Sequence, residues 1–340
     1  MSSSEAIYQS LLAKAGSDAD ITSVAFARAL DAQDDLAPYR SEFYFPGKNH
    51  VTSLGGEHAD SFRYFCGNSL GLQHRDVGEA VQQEVLKWRT QGVEGHFLAP
   101  NPWFEIDDIL RDDMAQVVGA KPSEVVIMNS LTANLHLLLT AFYRPDGRRR
   151  KLMSEIFPFP SDTHAFVSQV QNHGLNVEEC YLTVPSSTAS GGPEIITTES
   201  FLEAIEEHGD EVAVILLGAV HFLTGQYMDI ARITEAAHAK GILVGVDAAH
   251  AAGNVPLQLH EWNVDFACWC TYKYLNAGPG NIAGLFVHDR HTTSSTEEEG
   301  RAVQRRENAS GGMFPIAPLR GWWGHQRTNR FSLHKNFDAS

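Results

Sequence analysis

Apolar residues near the amino end recur at helical spacing: Ile7, Leu11 and Leu12, then Val24, Phe26, Ala29 and Leu30. That period predicts two short helices within residues 1–40, with Asp20 or Thr22 as a cap. Residues 40–60 are rich in turn formers. The helical period returns from Arg75 to Thr90, where Val77, Val81, Val85, Leu86 and Trp88 are apolar. Pro102 then predicts the first turn of another helix, running to about Val118. Beyond it the pattern changes. Short apolar runs appear at Val125–Met128, Lys151–Ser154, Glu178–Val184, Glu211–Leu217, Ile242–Val246, Val264–Cys270 and Ile282–Val287, several of them separated by helical stretches such as Ile230–Lys240. Continuous apolar runs of this length read as strands buried on both faces. Their alternation with helices predicts an α/β fold with a mainly parallel sheet flanked by helices.

Two of these runs stop on charge. Ile242–Val246 ends on Asp247, and Val264–Cys270 ends on Thr271, Tyr272 and Lys273. Parallel strands deliver such residues to the carboxyl edge of the sheet, where open α/β sheets bind ligands. One carboxylate and one lysine, 26 positions apart, are therefore expected to face one crevice from neighbouring strands. A strand-end aspartate also reads as a cap or turn residue, and a lysine as a solvated charge. Of the eight lysines, however, only Lys273 follows so apolar a run. An amine opposite an acid is the pairing a pyridoxal phosphate enzyme uses: the amine captures the cofactor aldehyde, and the acid keeps the pyridine nitrogen protonated.

Composition narrows the partners. A net charge of −16 argues against nucleic acid and anionic membranes. No apolar run has the length of a membrane span, and MSSSEAIYQS lacks a signal pattern, so a cytoplasmic protein is expected. Cys66, Cys180, Cys268 and Cys270 have no metal or redox spacing. The length suits a sizeable core in one large domain, or one large and one small.

The segments HFLTGQ, VGVDAAHAAGN and DFACWCTYKYLNAGPG resemble kynureninase, a fold-type I pyridoxal phosphate enzyme of tryptophan catabolism. The resemblance covers roughly residues 60–290 and returns at GWWGH. It implies a transferase-like fold, pyridoxal 5'-phosphate as cofactor, and hydrolysis of kynurenine or 3-hydroxykynurenine to an anthranilate and alanine. It also implies roles. Lys273 would hold the cofactor, with Tyr272 beside it as phosphate partner and proton donor. Leu131 and Thr132, opening the helix after Ser130, would cradle the phosphate; by pattern alone they are an ordinary helix start. Phe159 of FPSD would stack on the ring, with Asp162 close by, and Asp247 and His250 would touch the cofactor. Gly218 stands where some relatives carry a serine beside the phosphate, so it offers only its backbone. Ser69 of NSLG, His96 and Trp323 would lie near the substrate. Trp322 would reach the cofactor phosphate of a neighbouring subunit, which implies a homodimer with shared sites. No metal is implied.

The same resemblance divides the chain into a helical segment at 1–60, a cofactor domain at 61–290, a polar linker at 291–318 left structureless, and the start of a carboxyl-terminal region at 319–340. Relatives continue into a small domain that supplies an arginine for the substrate carboxylate. The expectation is a shortened chain, with that domain largely missing and the substrate side open. Two alternatives stay open: a silent cofactor-binding or dimer-forming fragment, and a cysteine desulfurase or aminotransferase of the same fold. The desulfurase reading is disfavoured because no cysteine follows Cys270.

Overall fold

The computed structural model describes residues 3–15, 20–46, 63–186, 195–291, 304–307, 313–316, 321–326 and 328–331. Two compact units divide the chain: residues 1–64 with 72–86, and residues 65–71 with 87–340. The first carries helices α1 (Ser3–Ala15) and α2 (Val24–Asp31) and a two-stranded ladder of β1 (Phe43–Tyr44) and β2 (Gln73–His74). The cap of α2 is Ser23, whose hydroxyl accepts the Phe26 amide at 3.1 Å. Asp20 instead binds the amide and hydroxyl of Thr22, so it shapes the turn before the helix. Helix α3 (Val77–Gln91) falls where its period places it.

In the second unit the helix expected from Pro102 starts late. A 3-10 turn at Trp103–Glu105 and further three-residue turns precede α4 (Arg111–Val118). Trp103 and Phe104 pack against neighbouring aromatic rings, and the Lys87 ammonium pins the preceding loop through the carbonyls of Leu98, Pro100 and Asn101. Tertiary contacts hold this stretch out of helical geometry.

Then come β3 (Val125–Ile127), α5 (Leu131–Phe142), β4 (Lys151–Glu155), α6 (Pro160–Asn172), α7 (Val177–Cys180), β5 (Tyr181–Val184), α8 (Thr198–His208), β6 (Val212–Gly218), α9 (Ile230–Ala239), β7 (Leu243–Asp247), β8 (Phe266–Trp269) and β9 (Gly284–Val287). The seven strands pair in the order β3-β9-β8-β7-β6-β4-β5. Ladders from β8 through β5 are parallel, and β9 runs antiparallel to both its neighbours. The expected mainly parallel sheet is present. Alternate residues feed two cores: Ile215, Leu217, Val244 and Val246 pack with Ile230 and Ile233 of α9, while Val214, Leu216, Phe266 and Cys268 pack with Leu135 and Leu138 of α5. Burial on both faces is why these strands read as unbroken apolar runs.

Part of the expected linker is ordered. β10 (Gln304–Glu307) and β11 (Met313–Ile316) form an antiparallel ladder. The rest of 292–318, and 332–340, lie outside the described residues. Among the described residues no helix is long and apolar enough to cross a membrane.

Two buried carboxylates clasp the amino edge of the sheet. Glu124 accepts the amides of Lys121 and Asp289, each at 2.9 Å, and lies 2.9 Å from His260 Nδ1. Asp265, just before β8, accepts the Val244 amide at 2.7 Å and meets His238, His291 and Arg290 at 2.9, 2.6 and 2.8 Å.

Candidate active site

The opposite, carboxyl edge gathers chemistry. β4 ends on Glu155, β6 on Gly218 and β7 on Asp247. β7 and β8 are neighbours with Asp247 paired to Cys268, and the chain leaving β8 carries Tyr272 and Lys273 back over the same edge. β3 leads into α5 at Ser130. These ends line a cleft of about 140 Å³ that opens to solvent.

Nine of the side chains and backbone positions singled out in the sequence line it. Lys273, Tyr272, Asp247 and His250 come from the central stretch, Phe159 and Asp162 from FPSD, Leu131 and Thr132 from α5, and Gly218 from β6. Lys273 is 9 % exposed; its Nζ sits 2.8 Å from His250 Nε2 and 5.8 Å from the centre of the Phe159 ring. Burial, then the Lys273 charge, lowers the His250 pKa, so the imidazole is neutral and accepts from the ammonium. Phe159 is held edge-on by Phe222 at 5.3 Å and caps the start of α6, where Pro160 fixes the backbone.

The floor is acidic. The Asp247 carboxylate accepts the Ala249 amide at 2.7 Å. Asp162 is pushed far above the usual carboxylate range, first by burial and then by Asp247, with which it shares a hydrogen bond. Glu155 accepts the Gly218 amide at 3.0 Å and is pushed up to about 7 by burial. One oxygen of Glu155 and one of Asp162 are buried without a hydrogen-bond partner. Sequence reading passed over Glu155, although it ends an apolar run on an acid just as Asp247 does.

The far wall suits an anion. α5 and α6 both begin there, and the Thr132 and Ser161 hydroxyls lie 3.2 Å apart. Ser130 spends its own hydroxyl on the Ala133 amide, leaving Thr132 and Ser161 as the facing donors. Two helix amino termini with hydroxyls between them offer amides and positive dipole ends to a phosphate. An acid pair, an aromatic face, an amine and an anion cradle together fit a pyridine ring that carries an aldehyde and a phosphate.

Four named residues do not line this cleft. Ser69 is exposed in a turn that reaches the site only through its backbone: the Gly71 amide donates to the Tyr272 carbonyl at 2.8 Å. A Cβ on Gly71 would lie 2.2 Å from the Lys273 carbonyl oxygen. Gly71→Ala is therefore expected to cost about 1–3 kcal/mol in urea unfolding, because the lysine loop must shift. An unchanged midpoint would show that the loop gives way freely. His96 stands edge-on to Trp103 at 5.5 Å in a cluster that continues through Phe97 and Phe104 to Trp323. Trp323 stacks under the Arg330 guanidinium at 4.4 Å. The Trp322 indole donates within its own chain, to the Arg330 carbonyl at 2.6 Å. His96 and Trp323 thus share an aromatic neighbourhood, with no side chain from it in the cleft.

The aminotransferase class-V family model matches residues 64–311. A kynureninase of Nematostella vectensis is 44% identical over 326 residues, covering 95% of this chain and 65% of the relative. One of Myxococcus xanthus is 44% identical over 317 residues, covering 93% and 67%, and kynureninase 1 of Aspergillus niger is 42% identical, covering 92% and 66%. The chain thus spans about two thirds of the length of these relatives. Among solved structures, a C-DES mutant with glycine covalently linked to its PLP cofactor superposes with a TM-score of 0.55 at 16% identity, covering 74% of this chain and 63% of that one. A cysteine desulfurase from Thermococcus onnurineus NA1 gives 0.54 at 19%, covering 75% and 61%. At such identity these two show the shared fold alone. The family match and the 42–44% relatives go further: the chain belongs to the aminotransferase class-V family and, within it, to the kynureninases.

Proposed function

We propose that this chain binds pyridoxal 5'-phosphate in the carboxyl-edge cleft and hydrolyses kynurenine or 3-hydroxykynurenine to an anthranilate and alanine. One observation carries the reading: the Lys273 amine and the Asp162–Asp247 pair enter one cleft from adjoining segments, with the Phe159 ring beside the lysine. When bound, the cofactor supplies a carbonyl that captures the substrate amine and a ring that takes up the electrons freed at the α-carbon. Asp162 and Asp247 hold the proton of the ring nitrogen. Phe159 offers a flat apolar face, and the amino end of α5, with Thr132, holds the phosphate. Gly218 contributes backbone only. Lys273 would serve as the base for the α-proton, oriented by its contact with the neutral His250 imidazole. The Tyr272 phenol, pushed up to about 12 by burial, keeps its proton and suits a donor.

On this reading the substrate side is completed by Ser69, His96 and Trp323, and by a homodimer in which Trp322 reaches the partner's cleft. A cytoplasmic location follows from the same family reading. A desulfurase would need a reactive thiol beyond the lysine. Cys270 precedes it, is 2 % exposed, and is raised in pKa by burial.

The test is direct. The purified chain incubated with pyridoxal phosphate is expected to turn yellow, and to release anthranilate and alanine in equal amounts from kynurenine. Colour without turnover would favour a cofactor-binding protein that is catalytically silent. The observation motivating that second reading is that Ser69, His96, Trp322 and Trp323 stand outside the cleft of the single chain. No colour at all would defeat both.

A further inference from the structure

Glu155 sits behind the acid pair and has no part in the chemistry just described. It closes β4, is 3 % exposed, and spends one oxygen on the Gly218 amide, so it ties the carboxyl ends of β4 and β6 together. Its second oxygen is buried without a partner, as is one oxygen of Asp162. Three carboxyl groups therefore share the floor of one cleft. The charged and titratable groups that bear on them are Asp247 on β7 and Asp162 on α6 themselves, Tyr181 on β5, Cys268 on β8, His250 after β7, and Cys270, Tyr272 and Lys273 after β8. His221 turns its ring to the Ile156 and Phe157 carbonyls just beyond Glu155. Lys273 favours ionisation of Asp162, whereas the charge weighing on Glu155 is the like charge of Asp247. Three buried anions facing one or two cations cost more than two anions and one neutral acid.

We propose that Glu155 is a positioning residue that works as a neutral carboxylic acid, holding Gly218 by one oxygen and keeping its proton while Asp162, beside Asp247, gives up its own to a cationic ring. The inference rests on the cofactor reading above for what enters the cleft, but the proton on Glu155 is a property of the chain itself. Burial raises Glu155 to about 7 from an ordinary 4.5. In this structure Asp162 is raised further, by burial first and then by Asp247 in hydrogen-bond contact with it. A cationic ring held in the cleft would favour the ionised form of Asp162 and leave Glu155 as the acid that stays neutral. An added Cβ at Gly218 would stand 3.1 Å from the Glu155 oxygen, so the two are closely fitted.

The sign of the pH dependence follows. A group whose folded pKa is raised keeps a proton that the unfolded chain has lost, so its burial costs stability as pH rises from 4.5 towards 7. Thermal melts of the cofactor-free full chain are expected to show a midpoint that falls over this window. E155Q, neutral throughout and able to accept the Gly218 amide, is expected to melt with the wild type at about pH 5 and above it at about pH 8. By equilibrium dialysis, E155Q is expected to hold pyridoxal phosphate within about threefold of wild type. Glu155→Leu, which strands the Gly218 amide, is expected to weaken it about tenfold or more. An E155Q slope equal to wild type, or a loss of affinity in E155Q matching that of Glu155→Leu, would overturn the proposal, since either shows Glu155 working as an anion. If wild type itself takes up no pyridoxal phosphate, the cofactor reading fails, while the melts still decide whether Glu155 carries the proton.

Discussion

Replacing Lys273 with alanine is expected to lower anthranilate release by about 10³-fold or more and to abolish any colour that survives borohydride reduction and denaturation. The expectation comes from geometry. Among the described residues lining the cleft, Lys273 alone brings an amine, and it lies between the neutral His250 imidazole and the Phe159 face. On the proposed function its removal would take away both the anchor for the cofactor and the base for the α-proton. A circular dichroism spectrum like that of wild type would show that the loss is chemical. Reducible colour in Lys273→Ala, or turnover within tenfold of wild type, would move the covalent site elsewhere.

The largest effect on stability is expected at the opposite edge of the sheet. Asp265 is 1 % exposed and joins β7, β8, α9 and the residues after β9 through one carboxylate. Burial alone pushes this carboxyl up. Hydrogen bonds from His238 and His291 and the Arg290 guanidinium outweigh it, holding the group well below the usual range. Asp265→Ala removes the counter-charge of Arg290, whose other hydrogen bonds go to Asn263, and leaves the Val244 amide without its acceptor, so a cost of about 3–5 kcal/mol is expected in urea unfolding. The pH dependence has the opposite sign to that of Glu155. A lowered carboxylate contributes stability that is fully present above its unfolded value of 3.8 and is lost as pH falls through its folded value. Asp265→Ala should therefore flatten the acid limb of the stability profile. A cost below about 1 kcal/mol would mean that the network is solvated in solution.

Much of the site was legible because strand ends announce themselves. An apolar run that stops on Asp247, and another that stops before Lys273, state locally that two charges are carried to a sheet edge. The late start of α4 was not legible, since Pro102 and the residues after it satisfy helical rules and only the aromatic contacts of Trp103 and Phe104 override them. The cap of α2 moved to Ser23 for a smaller reason: Asp20, Thr22 and Ser23 are all good caps, and the choice depends on where the chain enters the helix.

Taken alone, the order of residues pointed to most of the sheet strands and their helices, to a mainly parallel sheet, and to Asp247 and Lys273 at strand ends, because burial on both faces and the helical period are written into neighbouring positions. Only the tertiary structure decided which strand ends meet. Glu155, Asp162 and Asp247 become one acidic floor because β4, β6 and β7 are adjacent and α6 starts above them. His96 and Trp323 instead join an aromatic cluster through Phe97 and Phe104. Those are contacts between residues far apart in the chain, and local pattern carries no record of which distant group will become a neighbour in a low-dielectric pocket.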